Sequence, residues 1–476
     1  MGKRLKSESG VIPIIILLSG IGVVTLLFIS GNFLFKDQLF PKPSPTPVLT
    51  SIAPITPSPT EVATPTPTPK LIAKPAISKP ISNPGNSVSI TGYNSGEIIV
   101  GPSESIKTIN AGVAAAGSNF RIKIHAGTYP EQVEVNKSVA LVSFGDGQVW
   151  VDGGNTRRVG IDITAPSVVI DGIGVKQTVA QGILIENLSS KNVTIQNSII
   201  QDFDSDNSGE QLEAGIASYY GGSGIKILGN TILRRSSGSL TGGLSDGIWF
   251  KSNTANQSGG GHLISGNIIK GGFDGIGGEE EGDPHGSFDK DTVIENNTID
   301  TCFDDGIQSD GGNQNVRIRH NNIQRCGMGI SNNPNLTGPV YIEYNRITNG
   351  VRGYYDDIGC FKIGGSGKAV ANYTGNICIL TDAGGDGWKQ TNSELNAIVS
   401  RNNKIQVSRY VLEQTSWTED SQRAGSSFDN DCLFTTDNTG RFIKWNGEQV
   451  KSLADWKAAT GFEANGSQTQ NCGDPK

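Results

Sequence analysis

The sequence predicts an all-β chain wound as a solenoid, and three observations lead there. Between Asn197 and Asn403 one phrase recurs eight times: an aliphatic strand, then an Asn, then an Ile one or two residues on. The Asn residues are Asn197, Asn230, Asn267, Asn297, Asn321, Asn345, Asn376 and Asn403, separated by 33, 37, 30, 24, 24, 31 and 27 residues. Self-similarity at such a period marks a repeat architecture. The segments VTIQNSII, IKILGNTIL, HLISGNII, TVIENNTI, VRIRHNNI and VYIEYNRI are β-branched and end in turn residues, as short strands do. No segment of the repeat region keeps a helical period, so helical solenoids are excluded. Each coil then buries its Ile and Val against the coils above and below. The uneven period implies elaborated turns on one or two faces, where function tends to reside.

The N-terminal part obeys other rules. Residues 1–10 carry Lys3, Arg4 and Lys6, and residues 11–35 are an uncharged apolar run long enough to cross a bilayer. The basic flank puts the N-terminus in the cytoplasm and the rest outside, as a single-pass transmembrane anchor. A cleaved signal peptide is the alternative. The run exceeds a typical signal core and no small-x-small site closes it. Residues 36–90 form a Pro/Thr-rich stalk, with 13 of the 21 prolines between 41 and 84. Such a segment builds no core and favours extended polyproline II. At about 3.1 Å per residue it reaches roughly 100 Å.

Residues 91–476 are the solenoid domain, with a C-terminal cap from about 410. The 63 glycines suit tight turns. Beyond residue 90, 31 Lys or Arg face 43 Asp or Glu. That acidic balance excludes a nucleic-acid footprint. It also means that a polyanionic glycan needs a local basic patch or a bridging cation. Cys302 and Cys326 each lie five residues after a repeat Asn. Equivalent positions of adjacent coils stack at about 4.8 Å, within disulfide reach, so these two are predicted to bridge or to form a buried thiol stack. Cys432 and Cys472 could tie down the tail; spacing pairs neither Cys360 nor Cys378. Without CxxC or His/Cys clusters, zinc is not expected, nor is an organic cofactor. The chain is expected to be a monomer.

The domain opens with ESIKTINAGVAAAGSNF, a short amphipathic helix placed to cap the first coil, followed by RIKIHAGTY and EQVEV. Near the far end FIKWNGEQVKSLADWKAATG offers a second cap on Leu453 and Trp456. These caps protect exposed strand edges and the apolar ends of the core. The opening GTYPEQVEV, the central DDGIQSDGGNQNVRIRHNNI, GISNNPNLTGPVYIEYNRI and the closing NDCLFTTDN…WNGEQVKSLADW resemble the pectate-lyase-like right-handed parallel β-helix superfamily. The resemblance covers about residues 95–465. It implies a right-handed parallel β-helix with an N-terminal helical cap, which here follows the transmembrane helix and stalk. It leaves lyase, glycosidase, epimerase, esterase and non-catalytic surface protein open.

The repeated Asn reads as a hydrogen-bonded ladder at one turn. A second register runs through Asp-Gly-Ile or Asp-Gly-Trp at Asp246, Asp274, Asp305 and Asp386, with Met328-Gly-Ile alongside. With Ile248, Ile276, Ile307 and Ile330 inward, alternation turns Trp249, Lys251, Gly277, Glu279, Gln308, Asp310, Ser331 and Asn333 outward. Glu279, Asp305 and Asp310 are then candidate catalytic carboxylates beside Lys251, with a notch at Gly277. Trp249, Gln308, Asn333 and Lys389 are candidate substrate contacts. Two carboxylates about 5 Å apart suit a retaining glycosidase. Glu279, Glu280, Asp283 and Asp310 could instead hold Ca²⁺, with Lys251 abstracting the C5 proton of a uronate. The superfamily's lyases work in that general way, with acidic Ca²⁺ ligands and a Lys or Arg base. Asp304-Asp305 echoes the paired Asp of polygalacturonase-like hydrolases, but their histidine motif is missing. An Asp before Gly also serves simply to cap a turn. The loop GGEEEGDPHGSFDKD is either a solvated loop or a metal-binding lip, and His285 within it is an acid/base candidate. Tyr219-Tyr220, Tyr354-Tyr355 beside Asp356-Asp357, and Trp388-Lys389 are placed at strand-edge turns, to stack on sugars or pack the turns. The expectation is an extracellular, membrane-tethered protein acting on polysaccharide by Ca²⁺-dependent elimination, by hydrolysis, or by binding alone.

Overall fold

The computed structural model describes residues 90–475, except 207–212, 235–244, 253–254, 279–285, 353–357, 366–368, 382–383, 392–394 and 416–423. The expected cytoplasmic N-terminus, anchor and stalk lie outside the described residues, apart from Ile90. Among the described residues no helix is long and apolar enough to cross a membrane.

The chain winds as a right-handed parallel β-helix of about 11 turns. Each coil lays down one strand in each of three sheets, which hold 13, 12 and 13 strands. In one coil Val293–Glu295 joins the first sheet, Thr298–Asp300 the second and Asp305–Gln308 the third. The sheets enclose one core, in which Ile264, Ile294, Ile318 and Ile342 stack in the first sheet and Ile248, Ile276, Ile307 and Ile330 in the third. Full burial of each such side chain contributes about 1.5–3 kcal/mol.

The corner between the first and second sheets needs only two residues. The first turns the chain in the left-handed region, as Asn296 (φ 57), His320 (φ 54) and Asn402 (φ 57) do. The second carries the ladder. Asn230 donates from both N–H and Nδ2 to Asn267 Oδ1 at 3.0 Å. The same pair of bonds passes through Asn297, Asn321, Asn345, Asn376 and Asn403 to Asp431. The other Nδ2 hydrogen bonds a carbonyl one coil back, such as Ile294 O from Asn321. Asn197 is corrected: it sits at the left-handed position (φ 53), and Ser198 holds the ladder place.

The Asp-Gly-Ile triplet has a packing cause. A β-carbon at Gly247, Gly275 or Gly306 would strike the Cγ2 of Ile269, Ile299 or Ile323 and a carbonyl of the next coil. At these three positions only glycine fits; in a later coil Cys360 takes the same place and is bridged to Cys378.

At the opening end the helix Ile109–Ala115 buries Ile109 and Val113, capped by Thr108 and by the Glu131 carboxylate, which accepts from Ile109 and Asn110 N–H. At the closing end regular strands run on past residue 410, through Cys432–Thr435 to Ile443–Trp445. The helix Leu453–Thr460 then seats Leu453 and Trp456 on the core. Cys302–Cys326 forms as predicted, and Cys360–Cys378 and Cys432–Cys472 are also bridged.

Candidate active site

The outer face of the third sheet carries three columns, set by the register of its strands. In the column that starts the strands, Asp246, Asp274 and Asp305 stack in successive coils. Asp246 Oδ1 accepts from Asp274 N–H at 3.0 Å, and Asp274 Oδ1 accepts from Asp305 N–H at 2.7 Å. Asp386 likewise takes Tyr410 N–H at 2.9 Å. Capping therefore accounts for one oxygen of each of Asp246, Asp274 and Asp386. Asp305 differs: its Oδ2 meets Lys362 Nζ at 3.0 Å, and its Oδ1 is buried with no hydrogen-bond partner.

The middle column runs Trp249, Gly277, Gln308, Ser331, Lys362, Lys389, Glu413, Lys444. Trp249 is not an open sugar platform. It is 5% exposed and packs with Val159, Leu184, Ala217 and Tyr219 in an apolar cluster outside the core. The expected notch at Gly277 is filled, because a β-carbon there would collide with Asp246 Oδ2. Trp388 is also corrected: it points inward, buried against Phe361 and Tyr373. Lys389 does face outward, one coil beyond Lys362.

The third column holds Lys251, Asp310 and Asn333 among the described residues. Lys251 pairs in register with Tyr219 and occupies the same position as Asp310 two coils on, roughly 10 Å away. Asp310 is 3% exposed, and its oxygens are taken. Oδ1 accepts from Ser331 Oγ and Asn333 N–H, each at 2.8 Å, and Oδ2 from Gln308 Nε2 at 3.0 Å. Asp310 thus serves its neighbours rather than an open metal position. Glu279, Glu280, Asp283 and His285, like Tyr354, Tyr355, Asp356 and Asp357, lie outside the described residues.

What the structure brings together is a buried group of carboxylates around one amine. One oxygen from each of Asp274, Asp304 and Asp305 lies within 4.8 Å of the others. Burial, and then Asp246, Asp305 and Asp304, push the Asp274 carboxyl well up. Burial also raises Asp305, against the pull of Lys362. Asp310 is pushed up to about 7, chiefly by burial. Burial opposes the Lys362 ammonium, yet Asp305, Asp310 and Asp304 outweigh it and hold its pKa well above the usual lysine range. Asp274, Asp304 and Asp305 offer hard oxygens that could hold a metal ion.

Sequence reasoning missed Lys362 because its strand opens Gly359-Cys360-Phe361 where its neighbours read Asp-Gly-Ile. Pairing of Phe361 with Ile330 and Trp388 would have exposed it.

No protein-family model matches the chain, and no curated protein does. Solved structures do. A single-residue mutant of AlyGC, a PL6 family alginate lyase, aligns over 78% of this chain and 53% of its own, at 14% identity and TM-score 0.51. AlyGC itself aligns over 80% and 57%, at 14% identity and TM-score 0.49. The pectate lyase Pel9A aligns over 65% and 79%, at 15% identity and TM-score 0.45. The match thus spans little more than half of AlyGC's own length. At these identities the likeness is one of fold alone: the chain is a parallel β-helix that aligns with the AlyGC variant.

Proposed function

We propose that this chain acts on polysaccharide along the outer face of its third sheet, by Ca²⁺-dependent elimination at a uronate. One observation supports this most: three buried carboxylates converge within 4.8 Å, and of the Asp305 oxygens Oδ1 has no hydrogen-bond partner while Oδ2 is 3.0 Å from Lys362 Nζ. Asp274, Asp304 and Asp305 would hold the ion. When bound, it would draw charge from a uronate carboxylate and acidify the neighbouring C–H. Asp310, with a pKa of about 7, is the group poised to take or give a proton near neutrality. Lys362 supplies fixed positive charge, and Lys251 is the second amine of the face. Glu279, Glu280 and Asp283 remain proposed contributors from the adjoining loop. Gln308, Asn333 and Lys389 flank the group as proposed substrate contacts. The AlyGC likeness suggests only which substrates to try first. In this reading residues 11–35 anchor the chain in the cell membrane and residues 36–90 hold the domain away from it, outside the cell.

Hydrolysis by a carboxylate pair is the second reading, favoured by the contrast between Asp310 and the ion-paired Asp305. Both are tested by incubating the protein with pectate, alginate and neutral glucans, with Ca²⁺ or with EDTA. Ultraviolet absorbance from a new C=C bond, abolished by EDTA and by Asp310→Asn, is expected. Reducing ends without absorbance would establish hydrolysis. Retention on a glycan column with neither signal would leave a binding module.

A further inference from the structure

The asparagine ladder does not end on an asparagine. Each rung from Asn230 to Asn403 needs two donors, a backbone N–H and an Nδ2–H, aimed at the next coil's side-chain oxygen. Asn403 gives both to Asp431 Oδ1, at 2.6 and 3.0 Å, while Ser400 Oγ donates to Asp431 Oδ2 at 2.6 Å. Asp431 then gives its own N–H to Glu463 Oε2 at 3.1 Å. Glu463 therefore occupies the next rung. It is fully buried, in the left-handed region (φ 57), with its N–H bonded to Phe428 O. In each rung from Asn230 to Asn403 the residue that gives its N–H to the next side-chain oxygen also bonds the same oxygen through its side chain, so the ladder sets the Asp431 carboxyl against Glu463. An Asn at position 431 would donate there from Nδ2. Asp431 has no such hydrogen, and two carboxylates cannot bond without one.

We propose that a single proton, shared between the Asp431 and Glu463 carboxyl groups, closes the ladder and locks the C-terminal segment onto the last coil. The segment that it locks is defined. Ser467 N–H bonds Asp431 O, Leu433 N–H bonds Ser467 O, and the chain then runs to Cys472, bridged to Cys432. Other charges around the pair do not replace the proton. Asp429 adds negative charge from the adjoining strand and is itself held by Asn465. Arg401 acts on Asp429, and Lys457 of the closing helix donates to Gly466 O. Burial first, and then Asp431, raise Glu463 to about 9. Proton binding by the closed form thus exceeds that by the open form between the ordinary Glu value and about 9. Closure is complete at low pH and weakens as pH rises through that window.

Hydrogen exchange of the intact protein, read as protection of the peptide spanning residues 462–467, tests this. In the wild type, protection corrected for intrinsic exchange is expected to fall about tenfold per pH unit between about pH 6 and 8. Glu463→Gln supplies the missing donor, and Asp431→Asn restores an ordinary rung. Each should flatten the profile to within about twofold while keeping the protection seen at low pH. A wild-type profile that is already flat overturns the proposal, and that measurement needs no variant. A slope unchanged in both amide variants overturns it too.

Discussion

Asn321 shows what one ladder residue does. Its Oδ1 accepts two bonds from Asn297, and its Nδ2 serves Ile294 O and Asn345 Oδ1. Asn321→Leu fills the same space but strands these groups in a dry core. At about 1–3 kcal/mol for each buried group left unpaired, a loss of roughly 3–6 kcal/mol is expected in urea unfolding. Asn197→Gly, at the left-handed position outside the ladder, should cost under about 1 kcal/mol. The sequence displayed the repeated Asn but did not separate the corner residue from the ladder residue at Asn197-Ser198, where both are polar. Lys362 makes a second residue-scale case. Lys362→Met leaves Asp305 and Asp310 without their buried cation, a loss of about 3–5 kcal/mol near neutral pH. The loss should shrink at pH 5, where these raised carboxyls take up protons.

At the scale of elements, the Cys302–Cys326 bridge was readable because it joins equivalent positions of neighbouring coils, with Cα atoms 4.6 Å apart. Cys360–Cys378 was not, because it links the third sheet to a second-sheet strand of the next coil at the corner where the two sheets meet. Stacking rules say nothing about such a crossing. Replacing Cys302 and Cys326 by Ala opens a loop of 24-residue separation, at a cost of about 3 kcal/mol. Comparison of reduced and oxidised thermal unfolding checks it. The strands of the third sheet show the same division. Inward Ile248, Ile276, Ile307 and Ile330 were predicted from alternation, and they stack in the core. Trp249 pairs with Gly277, and Gln308 with Ser331, but alternation could not foretell that Trp249 is covered or that Asp246 fills the space at Gly277.

For the whole molecule, buried carboxyls set the pH response. Asp386 is raised to about 6, Asp310 to about 7 and Glu463 to about 9, each mainly by burial. Acids raised on folding contribute fully below their unfolded values and lose that contribution as pH rises through the folded ones. The thermal midpoint should therefore be highest near pH 5 and fall towards pH 9. Added Ca²⁺ should raise it more at pH 8 than at pH 5, because its ligands must be ionised to bind. An equal effect at both values would count against the Asp274, Asp304 and Asp305 site.

By itself the sequence determined the solenoid, its caps, the amide ladder and one disulfide. These follow from period, alternation and stacking, which repeat locally and need no knowledge of distant contacts. Only the tertiary structure decided which outward groups meet. Lys362 reaches Asp305 across 57 residues of chain, through registers broken by turns of unequal length. The same folding buried Asp310 and closed the ladder with Glu463, where charge, desolvation and a missing amide hydrogen jointly fix the chemistry.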